Sequence, residues 1–129
     1  MSFESRKKGE EMDVLNFIKS MHSNNKKKRI IREFSDRMKA DLSDNLVSMR
    51  LFGSQARGEA REDSDIDVLI ILKRRDFINR DKIYKMLFEL DPYYEYKISL
   101  SIFSEEEYKK NEQSGSFFVE NINREAVAL

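Results

Sequence analysis

Apolar residues recur along this chain in two different rhythms, and each rhythm predicts its own kind of element. Met12, Leu15, Ile18 and Met21 fall at helical spacing, and after the polar break Ser23-Asn24-Asn25 the same spacing returns in Ile31, Phe34, Met38 and Leu42. Two amphipathic helices are therefore predicted first, and the methionines on these stripes read as core. Leu46 to Phe52 is a short apolar run bounded by Ser43-Asp44-Asn45 and Gly53, the pattern of a strand deep in a sheet. Ile66 to Leu72 is an almost unbroken β-branched and leucine run, which predicts a second buried strand. Ile83, Met86, Leu87 and Leu90 mark a helix that ends before Pro92, because proline disfavours helical geometry in the residue preceding it. A third strand is predicted over Tyr94 to Phe103. Ser104 with Glu107 three residues on has the capping-box pattern and opens another helix, and Phe117, Phe118 and Ile122 indicate a final one. Strands alternating with helices predict an α/β or α+β fold, a small sheet with helices packed against it.

At 129 residues the chain has the size of one domain, read here as an N-terminal helical segment, 1–44, and a core, 45–129. Charged residues make up 37%, but 24 basic side chains balance 24 acidic ones, so no whole-molecule field attracts nucleic acid or a membrane. The run Lys26-Lys27-Lys28-Arg29 reads as a solvated helix start rather than a nucleic-acid patch. The absence of cysteine excludes disulfides, thiolate metal sites and cysteine nucleophiles, and fits a reducing cytoplasm. Met1 to Asp13 is charged, and no later apolar run approaches the roughly 20 residues of a membrane helix, so a soluble protein is expected.

The stretch from Leu51 to Ile70 carries the chemistry. Gly53 follows a strand and Ser54 is placed to cap a short helix, which sets backbone N–H groups and a small hydroxyl where phosphate oxygens can approach. Asp65 and Asp67 sit at the entrance of the next strand. Side chains alternate faces there, so the two carboxylates point the same way, with Cα atoms roughly 6.5 to 7 Å apart, a span suited to divalent cations. Beginning a buried strand with two repelling carboxylates costs stability unless a cation or donors neutralise them, and oxygen ligands favour Mg²⁺ or Mn²⁺. Taken singly, a Gly-Ser reads as a plain turn and an Asp-any-Asp as a solvated one. Jointly, Gly-Ser followed after ten residues by Asp-any-Asp should arise by chance in roughly one chain per thousand of this length, and both halves fall at predicted strand ends.

This pattern resembles the signature of the minimal nucleotidyltransferases, a branch of the polymerase-β-like nucleotidyltransferase superfamily. Arg57-Gly58, Ser64 and the apolar strand after Asp67 are also similar to that family, and the resemblance extends over roughly Leu46 to Leu129. It implies a small mixed sheet, a triphosphate held by Gly53 and Ser54, Mg²⁺ bound by Asp65 and Asp67, and attack of a hydroxyl on the α-phosphate of a nucleoside triphosphate, ATP above all. It further implies an antitoxin role, with a HEPN-domain toxin as partner and protein acceptor. One position departs from the pattern. The superfamily places a third carboxylate on the next core strand, where this chain has Ser99, and Glu95 is the nearest substitute, sharing a strand face with Ser99 by alternation and separated from it by Lys97. The serine leaves a second reading open, a non-catalytic antitoxin of the same fold that acts by occluding its partner.

Other residues carry less. Arg57 divides between a phosphate contact through its planar fork and a surface salt bridge. Arg61 reads as solvated. His22, near a helix end, is accounted for by favourable charge there. Tyr93, Tyr94 and Tyr96 read as packing rather than a nucleobase stack. Acceptor, base preference and oligomeric state leave no mark on the sequence.

Overall fold

The computed structural model describes residues 25–58 and 65–129. The predicted first helix with Met12, Leu15, Ile18 and Met21 lies outside the described residues, as do His22, Arg61 and Ser64. Helix α1 (Asn25–Asp41) leads through a tight turn, in which Leu46 N–H donates to the Leu42 carbonyl (2.7 Å), into strand β1 (Leu46–Phe52). A one-turn helix α2 (Ser54–Arg57) follows, then β2 (Ile66–Leu72), α3 (Phe77–Leu90), β3 (Ile98–Ser104), α4 (Glu105–Gln113), α5 (Phe117–Glu125) and the two-residue β4 (Val127–Ala128). The sheet runs β3-β2-β1-β4. β1 is antiparallel to β2 and β4, whereas β2 and β3 are parallel and joined through α3.

The alternation of side chains along β2 splits the core in two. Ile66, Val68, Ile70 and Leu72 meet Phe34 and Met38 of α1 and Ile83 and Met86 of α3 on one face. Leu69 and Ile71 meet Tyr108 of α4 and Val119 and Ile122 of α5 on the other. Cover on both faces is why β2 reads as an unbroken apolar run. The two helices of the second face are tied together where Tyr108 Oη donates to Asn123 Oδ1 (2.8 Å) and Asn123 Nδ2 donates to Glu112 Oε2 (2.7 Å).

Three expectations change. β3 begins at Ile98 rather than Tyr94, because the buried Asp91 carboxylate accepts the backbone N–H groups of Glu95 (2.8 Å) and Tyr96 (3.1 Å) and holds that segment in a turn. Tyr94 and Lys97 take positive φ values of 54° and 51°, incompatible with a regular strand. Of the three tyrosines only Tyr96 packs against the core, while Tyr93 is 89% exposed. In the basic run, Lys27 is buried because it precedes Ile31 by one helical turn on the inward face, whereas Lys26 and Arg29 are exposed. Among the described residues no helix is long and apolar enough to cross a membrane.

The predicted capping box is present: Glu107 N–H donates to Ser104 Oγ (3.0 Å) and Ser104 N–H donates to Glu107 Oε1 (2.8 Å). Arg75 grips the same carboxylate with Nε (2.9 Å) and Nη2 (2.7 Å). These Arg75 bonds, then the Ser104 bond, lower the Glu107 carboxyl to about 2 from its ordinary 4.5. A depressed folded-state value stabilises the fold fully above the unfolded value, near pH 4.5, and the contribution is lost as pH falls toward 2. Solvent screening keeps it small. Glu107→Gln should thus melt below the wild type at neutral pH, and the gap should narrow as a melting series is carried down through this window. A gap independent of pH would refute the assignment.

Candidate active site

Gly53 turns the chain out of β1 with φ of 75°, a conformation that side-chain-bearing residues seldom adopt. The Arg57 N–H donates to the Gly53 carbonyl (3.2 Å), closing the single turn of α2, whose first residue is Ser54. One turn has almost no macrodipole, so what this junction presents to an anion is its local N–H groups and the Ser54 hydroxyl rather than a helix field.

The antiparallel register sets Phe52 opposite Asp67, so the exit of β1 lies beside the entrance of β2. The contact is close enough that a Cβ added to Gly53 would collide with the Asp67 carboxylate. Asp65 lies one residue outside the strand and is exposed, and Asp67 is half-buried. Burial raises the Asp67 carboxyl above its ordinary value, the neighbouring Asp65 charge raises it further, and the Arg57 cation opposes both. Gly53, Asp65, Asp67 and Arg57 therefore share one electrostatic environment. Arg57 also pairs with Glu125 at the end of α5 (Nη1 to Oε2, 3.3 Å), which ties α2 to the helix layer.

On its other side Asp67 is aligned with Ser99 of β3, which is exposed. Glu95 does not take its place: it precedes β3 in the Asp91 turn, so strand alternation no longer puts it on the Ser99 face. Among the described residues no three acidic or histidine side chains form a metal cluster. Among the described residues, the carboxylates at this junction that could hold a cation are Asp65 and Asp67. The pair fits a divalent ion, which would relieve the repulsion felt by Asp67, with phosphate oxygens and water completing the shell. Glu125 was invisible to sequence reasoning, since 68 residues separate it from Arg57 and no local pattern marks it.

The fold is that of a nucleotidyltransferase domain. Residues 28–128 match the sequence profile described as the nucleotidyltransferase domain, and the chain belongs to that family, whose members act on nucleoside triphosphates with divalent metal ions. Two proteins of Methanocaldococcus jannaschii, each named "putative protein adenylyltransferase", are similar to it. The first is 40% identical over 74 residues, covering 56% of this chain and 50% of the relative. The second is 39% identical over 75 residues, covering 57% of this chain and 76% of the relative. The chain thus spans half the length of the first relative. A crystal structure of a "putative nucleotidyltransferase from Sulfolobus solfataricus" superposes with a TM-score of 0.50 at 19% identity, covering 95% of this chain and 89% of that one, a likeness of fold.

Two substitutions test the junction. Gly53→Ala should destabilise the protein by about 1–3 kcal/mol in urea unfolding, from positive-φ strain and the steric conflict with Asp67. Asp67→Asn should raise the melting temperature in chelator, by removing the repulsion with Asp65. Mn²⁺ should then stabilise the wild type and leave the variant unmoved; equal stabilisation of both would show that the ion binds elsewhere.

Proposed function

We propose that this protein transfers a nucleoside monophosphate from ATP, in the presence of Mg²⁺ or Mn²⁺, to a hydroxyl group of a partner protein. The observation that carries the reading is the contact of the bare Gly53 backbone with the Asp67 carboxylate, which brings a phosphate cradle and a cation-binding pair within one ligand's reach. In this reading the Gly53-Ser54 turn holds the triphosphate through backbone N–H groups and the Ser54 hydroxyl. Arg57, which pairs with Glu125 at 3.3 Å, offers its planar fork to a phosphate oxygen. Asp65 and Asp67 hold the metal, which supplies charge neutralisation and polarisation of the phosphate when bound. The acceptor oxygen bonds to the α-phosphorus, the bond from that phosphorus to the bridging oxygen of the β-phosphate breaks, and pyrophosphate leaves. With serine rather than a carboxylate at 99, the proton of the acceptor hydroxyl passes to water.

The name of the M. jannaschii relatives supports a protein acceptor. Resemblance to the minimal nucleotidyltransferases supports a HEPN-domain toxin as that acceptor and an antitoxin role in the cytoplasm. Ser99 favours a second reading, in which the fold neutralises the same partner by occlusion without transfer.

Incubation with α-labelled ATP, Mg²⁺ and a HEPN protein encoded beside this one should label the partner, and the double variant Asp65→Ala, Asp67→Ala should abolish the label. Transfer absent with both Mg²⁺ and Mn²⁺ would exclude the enzymatic reading. A double variant that still binds and inhibits the partner would establish occlusion.

A further inference from the structure

We propose that the outward face of α3 is a self-association surface, on which a second copy of this chain packs its own α3 antiparallel about a two-fold axis. The proposal is independent of the triphosphate reading.

α3 is apolar on both sides. Its inward face buries Ile83 and Met86 in the first core. At 3.6 residues per turn the opposite line of the helix runs through Phe77, Asp81, Tyr84 and Phe88. Phe77 is 82% exposed, Phe88 65% and the flanking Ile78 74%. The outward positions of the neighbouring α1 hold Arg29, Glu33 and Asp36, so apolar side chains are not forced outward by a shortage of polar ones. A helix that is apolar all round is one that is covered all round.

The face fits a copy of itself. Phe77, Asp81, Tyr84 and Phe88 have the alternating four- and three-residue spacing of a coiled-coil seam. Reversed against itself, the seam sets Phe77 opposite Phe88 of the second copy and Asp81 opposite Tyr84 of the second copy. Rings then meet rings at both ends, and the carboxylate meets a phenol hydroxyl that can donate to it. Lys85, 3.4 Å from Asp81 on the same helix, remains its counterion. Each contact is made twice, as an isologous interface requires. Charge agrees with the reversed direction: Lys73 and Arg74 precede α3 and Glu89 stands in its last turn, so the basic approach of one copy lies beside the acidic exit of the other. Tyr93 and Tyr94, both exposed, follow at that exit.

The area suffices. At about 200 Å² per aromatic side chain, the exposed parts of the three rings on α3 come to roughly 400 Å² per copy, and Tyr93 and Tyr94 add about 300 Å². Two copies then bury about 1,400 Å², within the roughly 1,200–2,000 Å² of a stable specific interface.

Sedimentation equilibrium of the full chain should give twice the mass of one copy. The double variant Phe77→Glu, Phe88→Glu should halve that mass with circular dichroism unchanged, because neither ring belongs to the core. Phe117→Glu, at an exposed ring of α5, should leave the dimer intact. The chain has no cysteine, so cross-linking reads the register independently of that variant. Phe77→Cys mixed with Phe88→Cys and oxidised should give a disulfide-linked pair. Neither variant should cross-link alone, since in the antiparallel arrangement like positions stand roughly 16 Å apart, beyond the ~7 Å that a disulfide spans. A wild type that stays monomeric at every concentration overturns the proposal and assigns the face to an unlike partner protein. A dimer that survives both glutamates, or Phe77→Cys cross-linked to itself, overturns it as well.

Discussion

Gly53 meets the Asp67 carboxylate at a point where no side chain fits, and the arrangement of the surrounding elements follows from that approach. Two conditions make it possible. The antiparallel pairing of β1 with β2 brings the exit of one strand beside the entrance of the other, and the positive φ of Gly53 turns the chain away immediately after Phe52. Neither condition holds unless both strands are stiff. β2 is stiffened by cover on both faces, from α1 and α3 on one side and α4 and α5 on the other. A junction built on the most buried strand has little freedom to drift, which is the usual way a fold holds polar groups in a set geometry.

The same junction carries an electrostatic cost. Asp67 is partly withdrawn from water and faces a second carboxylate, with Arg57 as a counterion that also serves Glu125. A fold selected for stability alone would gain by replacing either aspartate. A divalent ion placed at this pair would turn their repulsion into attraction. The serine in register with Asp67 marks where this chain departs from the three-carboxylate arrangement.

The helix layer on the second face does more than cover the sheet. α5 ends beside Arg57 through Glu125 and begins with two phenylalanines, one of them packed on Phe52. Both ends of β1's exit are thus tied to α5, although the residues concerned lie far apart in the chain.

β1 and β2 were legible in the sequence to the residue, because strands buried in a sheet leave dense apolar runs that polar turns cut off sharply. The Gly-Ser and Asp-any-Asp pairs were legible for a related reason: each occupies a strand end, and their chemistry depends on residue type and local spacing. The cap of α4 followed from Ser104 and Glu107, since it is made by neighbours in the chain. Tertiary structure decided the rest. The Asp91 carboxylate removed Glu95 from β3 by capturing backbone N–H groups, a competition between side-chain and ladder hydrogen bonds that residue propensity does not register. Glu125 and Phe118 reached the junction only through packing of α5, and two-residue β4 exists only because β1 offers it a partner. Local spacing determines what lies within a few residues along the chain; proximity across many residues is settled by which surfaces the collapsed core brings together.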